Sequence, residues 1–217
     1  MNLFYYKDPF PHFAGSMDQD LYDQVNLSWN DIQHNKYSQN AGNRSNILMQ
    51  DGELYSRISN FIFSSYNTLV NDIALNYPRL LEVQEIPLKT RILYTENQAT
   101  DYDYKIRGWH LDTGDKFLVG LWYFKHPDEP DDTGGDLMLM NPKTKQTKIF
   151  PYGANQLVIF PNIPTAWHAI TPRKPCKYPR RYINLILESP EITLHNYKRS
   201  GTSVDDEFRG NLVNNFA

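Results

Sequence analysis

The sequence has almost no cysteine and no long apolar segment. Its single cysteine, Cys176, cannot form a disulfide within the chain or supply the ligands of a zinc finger. No apolar run approaches the roughly 18 to 20 residues that a membrane-spanning helix requires. The opening residues 1–13 lack the basic start and the apolar core of a signal peptide. We therefore expect a cytoplasmic protein that does not associate with membranes.

The chain also lacks an excess of charge of either sign. Its 217 residues include 22 Lys and Arg against 25 Asp and Glu, which gives a formal net charge of −3. Proteins that bind nucleic acid usually carry a basic excess, so we do not expect nucleic acid as a partner. The hydrophobic share of 40% and the charged share of 22% are ordinary for a soluble folded domain. We expect one domain over residues 1–217.

Two helices are expected before the region rich in β-strand patterns. A capping-box pattern at Ser16 and Gln19 stands ahead of apolar residues at helical spacing, which predicts a helix over residues 17–30. A second helical pattern, closed by a proline, predicts a helix over residues 51–77. The polar stretch 31–50 between them is expected to be a loop with one short strand.

From residue 88 onward, short apolar and aromatic runs alternate with turn residues at intervals of roughly ten residues. The eight runs span residues 88–95, 105–111, 117–124, 136–140, 147–150, 156–160, 166–170 and 181–188. Eight antiparallel strands suit a double-stranded β-helix, or jelly roll. The sequence therefore predicts a mainly β fold with flanking helices. It comprises a helical part over 1–87, a jelly-roll core over 88–188 and a C-terminal tail over 189–217.

Three residues on the expected strands form a candidate metal site. His110 and Asp112 are two positions apart, so on a strand both side chains point to the same face. With His168 on a later strand they make the two-histidine, one-carboxylate donor set of mononuclear non-haem Fe(II) sites, which keeps open positions on the metal. A second triplet, His126 to Asp128, lies in an acidic and proline-rich connection, and we expect it to be a solvated loop.

A candidate carboxylate-binding residue begins the last expected core strand. Strand alternation puts Arg181 on the same face as the apolar residues Ile183 and Leu185, which predicts a buried guanidinium. A buried unpaired charge is costly and no acidic residue is an evident mate, so a bound dicarboxylate is the expected partner. A shift of one residue would exchange Arg181 with Arg180. Lys177, in the preceding loop, is the remaining alternative.

These residues, in this order, resemble the Fe(II)/2-oxoglutarate-dependent oxygenases, and most closely the prolyl-4-hydroxylase-like branch. The residues that carry the resemblance are Tyr94, His110, Asp112, Leu121 to Phe124, Gly134 to Leu137, Pro161, Asn162, Trp167, His168, Arg181 and Tyr182. The opening Asp8 to Phe13 is also similar to the lead-in of many small members. The resemblance covers residues 90 to 188.

The resemblance implies roles for specific residues. The three residues of the candidate metal site would bind Fe(II) and form the catalytic centre, and Arg181 would bind the distal carboxylate of 2-oxoglutarate. In this family the basic residue usually follows the second histidine by nine or ten positions. Lys177 matches that spacing, and an inserted loop explains the greater distance of Arg181. Tyr94 and also Tyr123 would contact the cosubstrate.

The activity implied by the resemblance is the O₂-dependent hydroxylation of a C–H bond with release of succinate and CO₂. Ascorbate is a further candidate cofactor. The substrate is either a protein side chain, as in prolyl hydroxylation, or a free small molecule. Arg44, Ser45, Arg107 and Trp109 are candidates for contact with it. The competing interpretation is a non-enzymatic, cupin-like binding module in which the histidines and the aspartate are incidental.

Overall fold

Eleven β-strands and two α-helices make up the part of the chain that the computed structural model describes, residues 2–34, 37, 43–73 and 88–189. The strands are β1 (Asn2–Tyr6), β2 (His12–Ser16), β3 (Arg44–Leu48), β4 (Lys89–Asn97), β5 (Arg107–His110), β6 (Lys116–Tyr123), β7 (Leu137–Met140), β8 (Thr147–Phe150), β9 (Gln156–Pro161), β10 (Trp167–Ile170) and β11 (Arg180–Glu188). The α-helices are α1 (Gln19–Ser28) and α2 (Glu53–Ile73). The predicted mainly β fold with flanking helices is confirmed.

The strands form two antiparallel sheets with the topology of a jelly roll. The large sheet has the order β1-β2-β9-β6-β11-β4-β3, and the small sheet has the order β5-β10-β7-β8. Residues from both sheets line one cavity, so the inner faces of the sheets are turned toward each other. All eight predicted core strands are present as β4 to β11, with ends displaced by two residues at most.

The sequence analysis missed a hairpin at the start of the chain. Strand β1 pairs with β2 from Asn2 opposite Ser16 to Tyr6 opposite His12, and β2 pairs in turn with β9. The hairpin thereby extends the large sheet by two strands. Its pairing to a strand some 140 positions away is a long-range contact that local patterns do not reveal. Strand β3, in contrast, is the short strand expected within residues 31–50.

Both predicted helices are present within the described residues. Helix α1 is capped by Asp18, whose side chain accepts a hydrogen bond from the backbone of Leu21 at 3.3 Å. Ser16 belongs to β2, so the expected capping box is replaced by this simpler cap. A 3₁₀ turn over Trp29–Asp31 continues α1. Residues 74–77 of the second predicted helix lie outside the described part.

Part of the apolar core lies between the helices and the outer face of the large sheet, and the same core extends to Leu137 and Leu139 of the small sheet. Helix α2 contacts β4, β9 and β11, and it buries Ile58, Ile62 and Leu69 on one face. From β11, Ile183 and Leu185 are buried on the side of the sheet opposite the cavity. The helices therefore support the large sheet from outside, while its inner face stays available for a site.

Neither helix of the described part has the length and apolar character needed to cross a membrane. The predicted C-terminal tail falls outside the described residues except for Ser189.

Candidate metal centre and its cavity

Three buried side chains with metal-ligating atoms meet on the small sheet. His110 ends β5, and His168 on the neighbouring strand β10 lies directly opposite it in the antiparallel register. Asp112 follows β5 and turns its Oδ2 to within 3.9 Å of His168 Nε2. One ligating atom from each residue lies within 4.8 Å of the others. The structure thus brings together the three residues that the sequence analysis proposed as metal ligands.

The two histidine rings are oriented by backbone carbonyl groups. His110 Nδ1 lies 2.8 Å from the carbonyl oxygen of Gly108, and His168 Nδ1 lies 3.3 Å from that of Ala166. A neutral imidazole that donates from Nδ1 carries its lone pair on Nε2. Histidines that bind metals are usually fixed in this way by a hydrogen bond from the other ring nitrogen. Each ring therefore offers Nε2 to a cation.

Burial and neighbouring charges keep the three side chains in their metal-binding forms at neutral pH. Burial lowers the pKa of His168 to about 4. Burial, together with His168 and Arg107, lowers the pKa of His110 well below its ordinary value. Burial alone would raise the pKa of Asp112, but Lys116 and the two histidines outweigh it and hold that pKa below its ordinary value. Two neutral imidazoles and one carboxylate fit a divalent transition metal.

Lys116, at the start of β6, fixes the orientation of the carboxylate. Its Nζ lies 2.9 Å from Oδ1 of Asp112, so that Oδ2 is left to face His168. A ligating carboxylate with its second oxygen held by a neighbour is a common arrangement around bound metals. The sequence analysis missed Lys116 because an acid and a base four residues apart signal a contact in a helix, whereas these two flank a turn.

A cavity of about 290 Å³ adjoins the three candidate ligands. Its wall is unusually basic: Arg44, Arg91, Arg107 and Lys116 all line it, and Asp112 is its one acidic residue among those described. The cavity also receives Val119, Leu121, Tyr182, Asn184 and Ile186 from the inner face of the large sheet. A polar, cationic wall next to a metal-ligand cluster suits an anionic ligand.

Strand β11 places its two arginines on opposite faces of the large sheet. Arg181 shares the outer face with Ile183, as the alternation predicted, but this face packs against the helices and not on the cavity. Its Nε donates to Glu96 Oε2 at 2.8 Å, and Glu96 lies directly opposite it on β4. The expectation that Arg181 is buried without an acidic mate is therefore wrong, because its side chain is 36% exposed and paired. Arg180 lies on the inner face with Tyr182.

Arg180 is fully buried, and its hydrogen-bond partners within the described residues are all uncharged. Nε donates to the carbonyl of Gly135 at 2.8 Å, Nη1 to Oδ1 of Asn97 at 3.2 Å and Nη2 to the hydroxyl of Tyr123 at 3.0 Å. A Cβ on Gly135, whose φ is +85°, would lie 2.8 Å from Cδ of Arg180, so the glycine is needed for this approach. The guanidinium also lies against the rings of Tyr123, Tyr152 and Tyr182, and Arg180 is not among the residues that line the cavity. A buried guanidinium with neutral partners favours a bound anion.

The two tyrosines expected to contact a cosubstrate also lie on opposite faces. Tyr94 is on the outer face, where its hydroxyl lies 2.6 Å from Oγ of Ser28 and its ring packs edge-on against Trp29. It does not line the cavity. Tyr123 is on the inner face beside Arg180, and burial raises its pKa to about 12. Its hydroxyl therefore stays protonated and can donate a hydrogen bond while it accepts one from Arg180.

Of the remaining residues named from the sequence, some line the cavity and others do not. Arg44 and Arg107 line the cavity. Ser45 faces away and hydrogen-bonds with His34, and Trp109 packs in a small separate apolar cluster. Lys177 lies in the loop before β11 with its Nζ over the ring of the neighbouring Tyr178, away from the metal ligands.

The second His-x-Asp triplet is a surface feature, as expected. His126 is exposed and stacks on Tyr178, and Asp128 is exposed beside it. The surrounding acidic connection is not entirely solvated, however, because Glu129 is buried in an ion pair with Arg173 at 2.7 Å. This connection therefore neutralises part of the basic segment that precedes β11.

No protein-family model and no curated protein sequence matches the chain. Solved structures do match. A prolyl-4-hydroxylase of Pseudomonas putida superposes with a TM-score of 0.58 at 9% identity, covering 82% of this chain and 91% of its own. A prolyl hydroxylase of Trichoplax adhaerens, solved with a peptide of the hypoxia inducible factor oxygen degradation domain, gives a TM-score of 0.52 at 14% identity, with 82% and 83% covered. The chain therefore has the jelly-roll fold of the prolyl hydroxylases.

Proposed function

We propose that the protein is an Fe(II)- and 2-oxoglutarate-dependent oxygenase that hydroxylates a C–H bond. The observation that carries this proposal is the buried cluster of His110, Asp112 and His168, which adjoins a cavity with a cationic wall. Two imidazoles and one carboxylate are the donor set of mononuclear non-haem Fe(II) oxygenases. The fold shared with prolyl hydroxylases agrees with this assignment.

In this proposal the three ligands bind Fe(II). Lys116 holds Oδ1 of Asp112 and so keeps the carboxylate in place. Fe(II), with 2-oxoglutarate and O₂ bound, supplies the oxidation that turns a C–H bond into C–OH, with release of succinate and CO₂. The protein binds and orients the reactants and excludes bulk water from the buried site.

We assign the distal carboxylate of 2-oxoglutarate to Arg180 in place of Arg181. Arg180 is the arginine of β11 on the inner face, and its guanidinium lies 4.6 Å from the ring centroid of Tyr182, which lines the cavity. Hydrogen bonds to Asn97 and Gly135 hold the guanidinium plane. A fixed guanidinium binds a carboxylate through two parallel hydrogen bonds. Tyr123 supplies a further hydroxyl donor to the same carboxylate.

The test is anaerobic titration with Fe(II) and 2-oxoglutarate, followed by succinate formation in air. We expect a metal-to-ligand charge-transfer band and iron-dependent succinate in the wild type. We expect both to be lost in Asp112→Ala. The matched control is Asp128→Ala, which alters the exposed His-x-Asp triplet and should behave as the wild type. If the wild type binds neither ligand, the protein is a non-enzymatic binding module and the proposal is wrong.

The substrate has two candidate classes, each supported by one observation. The fold likeness to prolyl hydroxylases favours a prolyl side chain of a protein. The cavity volume of about 290 Å³ is at the low end for small-ligand sites and favours a small free molecule. To separate the two substrate classes, succinate formation is measured with proline-rich peptides and with free amino and organic acids. The class that stimulates it contains the substrate.

A further inference from the structure

Two polar atoms on the inner face of the large sheet are buried and have no hydrogen-bond partner among the described residues. They are Nε of Arg44, on β3, and Oδ1 of Asn184, on β11. Both residues line the cavity beside the metal-ligand cluster. Because an unsatisfied buried donor or acceptor costs free energy, native proteins keep few of them. An unsatisfied donor and an unsatisfied acceptor in one cavity wall indicate a ligand with complementary groups.

Arg44 also forms no ion pair with a carboxylate in the part of the chain that the structure describes, although Asp112 lies near enough to attract its charge. Two other cations of the wall are compensated, since Lys116 pairs with Asp112 and Arg91 pairs with Glu188. Around Arg44, in contrast, none of the described carboxylates approaches within the 4.0 Å of an ion pair, and its side-chain hydrogen bond is to the phenol of Tyr182. Arg107 lines the same cavity and adds to its positive potential.

The proposed cofactors do not compensate this charge. The two positive charges of Fe(II) and the two negative charges of 2-oxoglutarate cancel formally, and the proposed function assigns the distal carboxylate to Arg180. The charge of Arg44 is therefore not neutralised by the cofactors, and an anionic substrate can neutralise it. The cationic wall favours an anion over a neutral ligand, and the small volume favours a small molecule over a peptide segment.

We propose that the cavity wall formed by Arg44, Tyr182 and Asn184 binds an anionic group of a small-molecule substrate, a carboxylate or a phosphate. Arg44 donates to the anionic oxygens, and Asn184 Oδ1 accepts from a hydroxyl or amino group on the same molecule. This assignment rests on the proposed function, because it identifies the ligand as the substrate of that site. It makes the substrate a small acid and not a neutral molecule.

The experiment uses the anaerobic holoprotein with Fe(II) and saturating 2-oxoglutarate, in a buffer of low ionic strength. Inorganic phosphate, acetate and the neutral analogue acetamide are titrated by calorimetry into the wild type, Arg44→Gln and the control Arg57→Gln, which alters an arginine of α2 far from the cavity wall. We expect phosphate or acetate to bind the wild type and acetamide not to bind. We expect Arg44→Gln to weaken anion binding about tenfold or more, and Arg57→Gln to leave it unchanged. The stronger of the two anions identifies the substrate group.

Three results of this titration overturn the proposal: no anion binding by the wild type, equal binding of acetamide, or unchanged binding in Arg44→Gln. The affinity for 2-oxoglutarate is measured in the same variants from the charge-transfer band. A tenfold loss there in Arg44→Gln assigns Arg44 to the cosubstrate and also overturns the proposal. Failure of the proposed function is visible earlier, since the wild type then binds neither Fe(II) nor 2-oxoglutarate. In that case the titration is made on the protein alone, and anion binding that depends on Arg44 identifies an anion site that is not an oxygenase subsite.

Discussion

The outer face of the large sheet packs against the helices, whereas its inner face combines apolar residues such as Val119 and Leu121 with basic and polar residues around a cavity. On the outer face the buried Glu96 pairs with the partly exposed Arg181. On the inner face Arg180 has only uncharged partners among the described residues, and Arg44 and Asn184 each keep a buried atom without one. The Arg181–Glu96 pair thus supports the fold on one face, while the incompletely paired groups on the other are the basis of the proposed ligand site.

The sharpest test of this comparison replaces each of the two arginines of β11 separately with glutamine. In Arg180→Gln we expect the Kd for 2-oxoglutarate to rise about 100-fold, because the proposed bidentate charge-assisted contact would be lost. In Arg181→Gln we expect little change, because that side chain pairs with Glu96 on the outer face. The measurement is an anaerobic titration of the Fe(II)-loaded protein with 2-oxoglutarate, monitored through the charge-transfer band.

Because Arg180 is fully buried, its replacement could also unfold the protein, so Arg180→Lys and thermal unfolding of each variant serve as controls. A folded Arg180→Gln protein with wild-type cosubstrate affinity contradicts the assignment. A larger loss in Arg181→Gln than in Arg180→Gln reverses it.

The next prediction concerns Lys116, which holds Asp112 beside the proposed metal. In Lys116→Met we expect the affinity for Fe(II) to fall about 10- to 100-fold, the range usual for groups that orient a metal ligand. The matched control is Lys125→Met, which removes a lysine paired with the exposed Asp131 at 2.7 Å. Competition with a metal-binding dye under anaerobic conditions measures both. Equal affinities in the two variants mean that Asp112 needs no such support.

The sequence predicted the strands and the metal-ligand cluster because both depend on local patterns. Period-two alternation locates each strand, and a His-x-Asp spacing puts two ligands on one face wherever a strand forms. The same alternation cannot tell which face of β11 lines a cavity, because this strand is covered on both sides and both of its faces are largely buried. The pairing of Arg181 with Glu96 arises from the register of β11 with β4, which is a contact between distant parts of the chain.

Other features depended on long-range partners in the same way. The N-terminal hairpin exists as part of the large sheet because β2 pairs with β9. Lys116 reaches Asp112 across a turn whose shape is set by the strands on either side. Glu129 is buried because the basic segment before β11 supplies Arg173. An acidic connection and a basic segment in one chain were the available signal for that pair, and only the fold shows that they meet.

A smaller effect is expected from His12, a buried histidine on β2, the second strand of the large sheet. Burial lowers its pKa to about 4, and its Nε2 has no hydrogen-bond partner within the described residues. An unfolded chain protonates this histidine near its ordinary pKa of 6.5, so between pH 6.5 and about 4 the unfolded state binds more protons and stability falls as the pH falls. In His12→Gln we expect the loss of unfolding free energy between pH 7 and pH 4.5 to shrink by about 1 to 2 kcal/mol.

Urea unfolding at the two pH values measures this difference. The control is His126→Gln, which alters a histidine exposed on the surface and should keep the wild-type dependence on pH. An identical pH dependence in His12→Gln and the wild type contradicts the prediction, since another buried group must then carry the effect.

The smallest expected effect separates the two tyrosines that the sequence analysis associated with the cosubstrate. Removing the hydroxyl in Tyr94→Phe breaks its contact with Ser28 on the outer face, which should cost about 1 kcal/mol of stability and leave the 2-oxoglutarate affinity unchanged. Tyr123→Phe removes a donor beside Arg180 and should weaken cosubstrate binding several-fold. Urea unfolding and the charge-transfer titration are made on both variants. If Tyr94→Phe weakens the binding of 2-oxoglutarate and Tyr123→Phe does not, the cosubstrate lies on the face packed against the helices. The division of the sheet into a structural face and a ligand-binding face is then wrong.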